Sequence, residues 1–254
     1  MKQGDFTALA KDYIHRTGYS RDVLELLLAR VARERPGIVV ADVGAGTGKL
    51  TENLIALGLS GHAIEPNDAM RAEGQRLCGA ERPFAWSAGS GEATGLPSAS
   101  VDWVLMASSF HWTDPKRSLP EFHRILRPGG FFTALWNPRD LESSEFHRDV
   151  ERMIHERIPA LKRVSSGGKP YTQDLEQTLV STGHFSHLVF CEGAHQVSMT
   201  PERYLGAWRS VNDIQAQAGP EAFEALMAAL TERVRALSEV VVPYRTRAWT
   251  VQAV

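Results

Sequence analysis

Cysteine is scarce: Cys78 and Cys191 are the only two in 254 residues, which excludes a small disulfide-stapled scaffold. Long apolar runs are missing as well. The longest, such as 103–107 and 131–136, fall far short of the roughly 20 residues that cross a bilayer, so no membrane span is expected. The amino terminus, MKQGDFTALAKDYIHR, is charged where a secretory signal needs an apolar stretch. An excess of one charge is absent too. Lys and Arg number 28 against 30 Asp and Glu, and the net charge of −2 leaves no large basic field for a polyphosphate backbone. Nucleic-acid binding is therefore not expected, and these absences together suit a soluble, reduced, cytoplasmic protein of unspecified oligomeric state. Hydrophobic residues make up 43% of the chain, enough for a sizeable core. The length allows one elaborated domain or two small ones.

Val23, Leu24, Leu27, Leu28 and Val31 recur at helical spacing before Arg35-Pro36-Gly37 stops the helix. Residues 37–42 form a short β-branched run without alternation, the pattern of a strand buried on both faces of a parallel sheet. Strands are then expected at 62–65, 101–107 and 131–136, with helices starting near Lys49 and at 67–77 and 120–126. Such alternation predicts an α/β fold with a doubly wound, Rossmann-like, mostly parallel sheet. Beyond Asn137 the alternation fails. Helices are expected at 145–158, 172–181, 201–208 and 220–237, a loop at 164–170, and strands at 186–192 and 249–254. Later strand signals are too few for a second sheet, so 1–254 is expected to be a single domain whose segments 137–181 and 199–237 form a helical cover over the active site.

The sharpest signal is Asp42-Val-Gly44-Ala45-Gly46-Thr-Gly48-Lys-Leu50, a glycine turn between an expected strand and an expected helix. Glycine serves where backbone bends through positive φ or approaches a ligand, and a helix start offers unpaired N–H groups. A phosphate-binding P-loop needs glycine at position 43 and Ser or Thr at 50, where Val43 and Leu50 stand. The dinucleotide fingerprint needs glycine at 49, which is Lys49. Glu65, nineteen residues after Gly46, ends the second strand, and its carboxylate suits the two hydroxyls of a ribose. That feature alone serves a nicotinamide cofactor equally well.

From Tyr13 to Trp136 the sequence resembles the class I S-adenosylmethionine-dependent methyltransferases, in particular the small-molecule branch of trans-aconitate methyltransferase-like enzymes. Asp42 to Gly48 resembles the family's first motif, and Glu65, followed by Pro66, matches its ribose-binding acid. Ser90-Gly91-Glu92-Ala-Thr-Gly-Leu-Pro97 resembles the adenine-contacting motif, with Ser90 where the acidic residue usually stands. Residues 101–112, with Ser108, Phe110, His111 and Trp112, resemble the strand and aromatic turn beside the reactive sulfonium. Arg127-Pro-Gly-Gly130 resembles the structural turn into the fifth strand. Tyr13, Arg16 and Tyr19 resemble a segment that folds over the cofactor, where arginine suits a carboxylate.

The resemblance implies methyl transfer from S-adenosylmethionine to a small-molecule acceptor at O or N, a carboxylate included, with release of S-adenosylhomocysteine. His111 is the candidate general base, because histidine takes a proton near neutral pH. Asp114 is better suited to capping the turn before Pro115. Trp112, Trp136, Asn137, Arg139, Trp208 and Arg209 are candidate acceptor-binding residues. His184 and His187 lack neighbouring ligands for a metal. Two alternatives are an NAD(P)-dependent oxidoreductase and a non-catalytic S-adenosylmethionine-binding partner protein.

Overall fold

The computed structural model describes residues 6–33, 37–79, 83–163 and 172–254. Of the sequence expectations, the loop at 164–170 and part of the 35–37 helix stop lie outside them. Seven strands form one sheet in the order β3-β2-β1-β4-β5-β7-β6: β1 Val39–Val43, β2 Ser60–Ile64, β3 Phe84–Ser87, β4 Val101–Ala107, β5 Leu126–Trp136, β6 Phe185–Met199 and β7 Val240–Ala253. The pairs β1/β2, β2/β3, β1/β4 and β4/β5 are parallel, and β5/β7 is antiparallel. The expected Rossmann-like sheet is present, with the order reversing at β1, between β2 and β4.

The chain divides into two compact units. One comprises Gly18–Asn137, Ser166–Gly193 and Thr246–Val254; the other comprises Met1–Thr17, Pro138–Ser165 and Ala194–Arg245. In the first unit, alternate residues of each strand feed opposite faces of the sheet. Ala41, Val104, Met106, Phe132 and Ala134 pack with Leu119, Phe122 and Ile125 of the helix α5 (Pro115–Ile125) and with Leu175 and Leu179 of α7 (Leu175–Val180). Val40, Trp103, Leu105 and Leu135 pack on the other face with α2 (Arg21–Val31) and α3 (Lys49–Ala56). The helix α4 (Asp68–Cys78) follows β2, with Asn67 as its N-cap accepting from the Met70 N–H at 3.1 Å. In the second unit, α6 (Glu145–Arg157), α8 (Pro201–Arg209) and the helical stretch α9 (Asn212–Val234) share an apolar core with Val240, Val242 and Tyr244; the short α1 (Ala10–Tyr13) also belongs here. No helix among the described residues is long and apolar enough to cross a membrane.

Several boundaries differ from expectation for local reasons. The helix expected at 120–126 starts at Pro115, because Asp114 caps it by accepting from the Lys116 N–H at 3.0 Å and proline is tolerated at the first helical position. Strand β3, four residues long, carries too little pattern to be read. Strands β6 and β7 run far past their expected ends; along β6 half-buried and exposed residues alternate, and polar side chains dilute its apolar signal. The helix expected at 220–237 is preceded by helical residues from Asn212, and Gly219 at φ 77° breaks the stretch ahead of Pro220.

Candidate active site

The site is built where β1, β2 and β4 end, at the reversal of strand order that generates a ligand crevice in open α/β sheets. The chain leaves β1 through three glycines at positive φ: Gly44 at 69°, Gly46 at 59° and Gly48 at 85°. At Gly44 a Cβ would lie 2.8 Å from the Ser109 side chain, and at Gly48 it would lie 2.6 Å from Cys78 Sγ, so glycine answers both a dihedral and a packing demand. The turn is tied to the neighbouring strand by the N–H groups of Gly44 and Ala45, which donate to the Ile64 carbonyl at 2.8 and 3.1 Å. Ser109 Oγ donates to the Val43 carbonyl at 3.2 Å and ties the loop after β4 to the same turn.

Glu65 stands one residue past β2 and is buried. Its carboxylate accepts from the Gly46 N–H at 2.9 Å and from the Asn67 N–H at 2.8 Å, one bond per oxygen. Burial pushes its pKa up, opposed by those two bonds and by the charge of Arg71. Asp42 is fully buried. Thr51 Oγ1 donates to its Oδ2 at 2.6 Å, and Oδ1 has no hydrogen-bond partner. Burial, with the nearby Glu65 charge adding to it against the Thr51 bonds, raises the Asp42 carboxyl to about 7. Gly44, Ala45, Gly46, Gly48, Asp42 and Glu65 therefore meet in one place, with the exposed Pro66 beside them.

After β3, Ser90 and Ala93 pair as an isolated bridge, and Ser90 Oγ accepts from the Glu92 N–H at 3.3 Å. Gly91 is buried, and a Cβ there would lie 2.7 Å from Thr113. Glu92 Oε1 accepts from the Asp114 N–H at 2.9 Å, so part of its capacity fixes this loop against the start of α5. Ser108 takes a left-handed φ of 54°, rare for a side chain larger than glycine, and receives the Tyr19 hydroxyl proton at 3.2 Å.

His111, the expected general base, is half-buried. The Trp136 indole N–H donates to its Nδ1 over a long 3.4 Å, which places the ring proton on Nε2, and burial lowers its pKa to about 4. Trp112 is half exposed, with its ring 4.7 Å from His111. Three aromatic or amide candidates have packing or hydrogen-bond partners within this unit. Phe110 is a core residue against Phe132, and Trp136 is fully buried against Trp249. Asn137 donates to the Gly18 carbonyl at 2.9 Å and accepts from Thr246 at 2.8 Å. Tyr13, Arg16, Arg139, Trp208 and Arg209 belong to the other compact unit. There Arg16 donates to Ser210 and to the Tyr13 hydroxyl, and Arg209 makes a surface ion pair with Glu224 at 3.2 Å. Thr51, Asn67 and Arg71 are not singled out by the sequence, since a single hydroxyl, amide or guanidinium outside a motif gives no periodic signal, and Ser109, inside the 101–112 segment, has no feature that marks it from its neighbour Ser108.

Residues 41–134 match the family described as Methyltransferase domain. An uncharacterized methyltransferase of Mycobacterium tuberculosis is 40% identical over 125 residues, 49% of this chain and 48% of that protein. A ubiquinone/menaquinone biosynthesis C-methyltransferase of Rubrivivax gelatinosus is 33% identical over 109 residues, 42% of each. The chain thus spans about half the length of the curated relatives it matches. A solved structure from Anaeromyxobacter dehalogenans, titled as a candidate type II methyltransferase, aligns with a TM-score of 0.66 at 21% identity over 92% of this chain and 97% of that one. Residues 41–134 are therefore similar to a methyltransferase domain, and the sheet that carries them has the Rossmann-like fold of solved methyltransferase structures.

Proposed function

We propose that this chain is an S-adenosylmethionine-dependent methyltransferase acting on a small molecule. The observation that carries this reading is Glu65, oriented by the Gly46 and Asn67 N–H groups at the crevice of a segment similar to methyltransferase domains. The residues present fit the cofactor. Each Glu65 oxygen has one lone pair engaged by backbone, which leaves capacity for both hydroxyls of a ribose. Asp42 Oδ1 is an acceptor awaiting a donor, and the glycine turn keeps Cβ atoms out of the crevice. Asp42, Gly44, Ala45, Gly46, Gly48, Glu65 and Pro66 would hold the methionyl and ribose parts; Ser90, Gly91 and Glu92 would line the adenine, with Ser108 and Phe110 behind the reacting end.

When bound, S-adenosylmethionine supplies a methyl group on cationic sulfur and leaves as S-adenosylhomocysteine. The chain's task is then to orient an acceptor lone pair and exclude water. His111, neutral and with Nδ1 engaged by Trp136, is suited to donate from Nε2 and poorly suited to remove a high-pKa proton. This favours an acceptor atom that is nucleophilic without a strong base: an uncharged amine, a carboxylate, or a stabilised carbon nucleophile, the last being the class named for the Rubrivivax relative. Trp112, half exposed beside His111, is proposed to contribute to acceptor specificity.

Calorimetry with S-adenosylhomocysteine and NAD tests the cofactor. Binding of the first is expected, and Glu65→Ala should weaken it by about 1–3 kcal/mol through a ribose diol left unsatisfied. Tight NAD binding without S-adenosylhomocysteine binding would sink the proposal. A metabolite screen with isotopically labelled methyl donor then identifies the acceptor.

A further inference from the structure

Arg139, His147, Tyr204 and Trp208 meet in the core of the unit that also holds α6, α8 and α9. The Arg139 guanidinium lies 4.0 Å from the centroid of the Trp208 ring, and the Tyr204 ring sits edge-on to Trp208 at 6.2 Å and to His147 at 5.9 Å. Tyr204, Trp208 and His147 are at most 1% exposed, whereas Arg139 is half-buried. Yet Arg139 Nε, His147 Nε2, Tyr204 Oη and Trp208 Nε1 are all buried without a hydrogen-bond partner. Buried polar groups are normally paired, and four orphans in one cluster are a standing loss of stability that something else must offset.

All four groups are able to donate a hydrogen bond. Arginine Nε and indole Nε1 only donate. The Tyr204 hydroxyl keeps its proton, since burial pushes its pKa up; its oxygen can also accept, and the nearby Trp208 indole opposes that rise although the pair falls short of hydrogen-bond geometry. His147 Nδ1 pairs with Ser144 Oγ at 2.8 Å, and in the tautomer in which Nδ1 accepts the hydroxyl proton, Nε2 carries the ring proton and donates. His147 is neutral near pH 7, its pKa lowered to about 4 by burial and by the charge of Arg139. The carboxylates around the cluster are already engaged: Glu151 and Asp213 bind Arg163 at 2.7 and 3.2 Å, and Asp140 binds Arg245 at 2.8 Å. Among the described residues Arg139 has no ion pair. One cation without an ion pair and three neutral groups able to donate thus share little beyond the Tyr204 oxygen as an acceptor. A single water has two lone pairs to offer, whereas a carboxylate has about four acceptor sites and a phosphate more.

We propose that Arg139, His147, Tyr204 and Trp208 form a binding site for the oxyanion end, carboxylate or phosphate, of a small ligand. The site is defined by binding and stands whether or not the chain transfers methyl groups. The test is a titration of the 15N-labelled full chain with succinate and with inorganic phosphate at constant ionic strength in chloride. The reporter is the Trp208 indole N–H, assigned by its loss in Trp208→Phe. A saturable shift with at least one anion, and none with neutral succinamide, is the expected result; the stronger of the two names the source. Arg139→Gln should weaken binding about tenfold or more, the loss of one charge-assisted bond. Tyr204→Phe, which preserves ring volume, should weaken it without lowering thermal stability, and this variant keeps the test decisive if Arg139→Gln fails to fold. The proposal is overturned by the absence of a saturable shift with either anion, by an equal shift with succinamide, or by undiminished affinity in a folded variant; the cluster then holds only water or packing.

Discussion

Replacing Asp42 by Asn probes the electrostatics of the glycine-turn crevice directly. Burial, with Glu65 nearby, raises the Asp42 carboxyl from 3.8 to about 7. The folded-state value lies above the unfolded one, so the folded protein keeps a proton that the unfolded chain has already released. Stability therefore falls as pH rises between the two values and is flat above the higher. At about 1.4 kcal/mol per pH unit, the loss is roughly 1.5 kcal/mol at pH 5 and roughly 4 kcal/mol at pH 8. Asp42→Asn removes the titration while its amide oxygen can still accept the Thr51 hydroxyl. Denaturant unfolding of both proteins at pH 5 and pH 8 should show the variant gaining about 3 kcal/mol on the wild type between the two conditions. The same substitution should weaken S-adenosylhomocysteine binding. Parallel pH dependences of stability in the two proteins would refute the buried, unpartnered carboxylate as the origin of the effect.

Gly44→Ala forces an L side chain to φ 69° against Ser109 and should cost about 1–3 kcal/mol in thermal or denaturant unfolding; a neutral result contradicts the packing described. Arg163 bridges the carboxylates of Glu151 and Asp213, so Arg163→Met should destabilise by about 3–5 kcal/mol, whereas Arg209→Ala, on the surface, should stay within about 1 kcal/mol. Comparable losses in the two would show that burial does not set the weight of these pairs. For His111 and His147 the folded values, lowered to about 4, lie below the ordinary 6.5. Stability from keeping them neutral is present above 6.5 and lost as pH falls towards 4, by up to about 3 kcal/mol each. NMR titration of their ring protons should find no protonation near pH 6.5, and a normal midpoint would dismiss the burial argument.

Residue type and spacing alone made the first half of the chain legible. Steric and periodic rules are local: the β-branched run at 37–42, the glycines at 44, 46 and 48, and the acid at 65 declare a strand, a positive-φ turn and a hydrogen-bond acceptor wherever they occur. The same rules blurred beyond Asn137, where strands β6 and β7 carry polar residues on partly exposed faces and lose the apolar signal by which a strand is read. Tertiary structure alone decided which side chains were already engaged. Asn137 is held by Gly18 and Thr246 and Arg16 by Ser210, while the Trp136 indole N–H engages His111 Nδ1. Tyr204 and His147, ordinary helix residues in the sequence, became a donor cluster with Arg139 and Trp208 only once distant segments met. The physical reason is that a backbone dihedral is chosen within a few residues, whereas burial, pKa and hydrogen-bond satisfaction depend on neighbours that only the folded chain supplies.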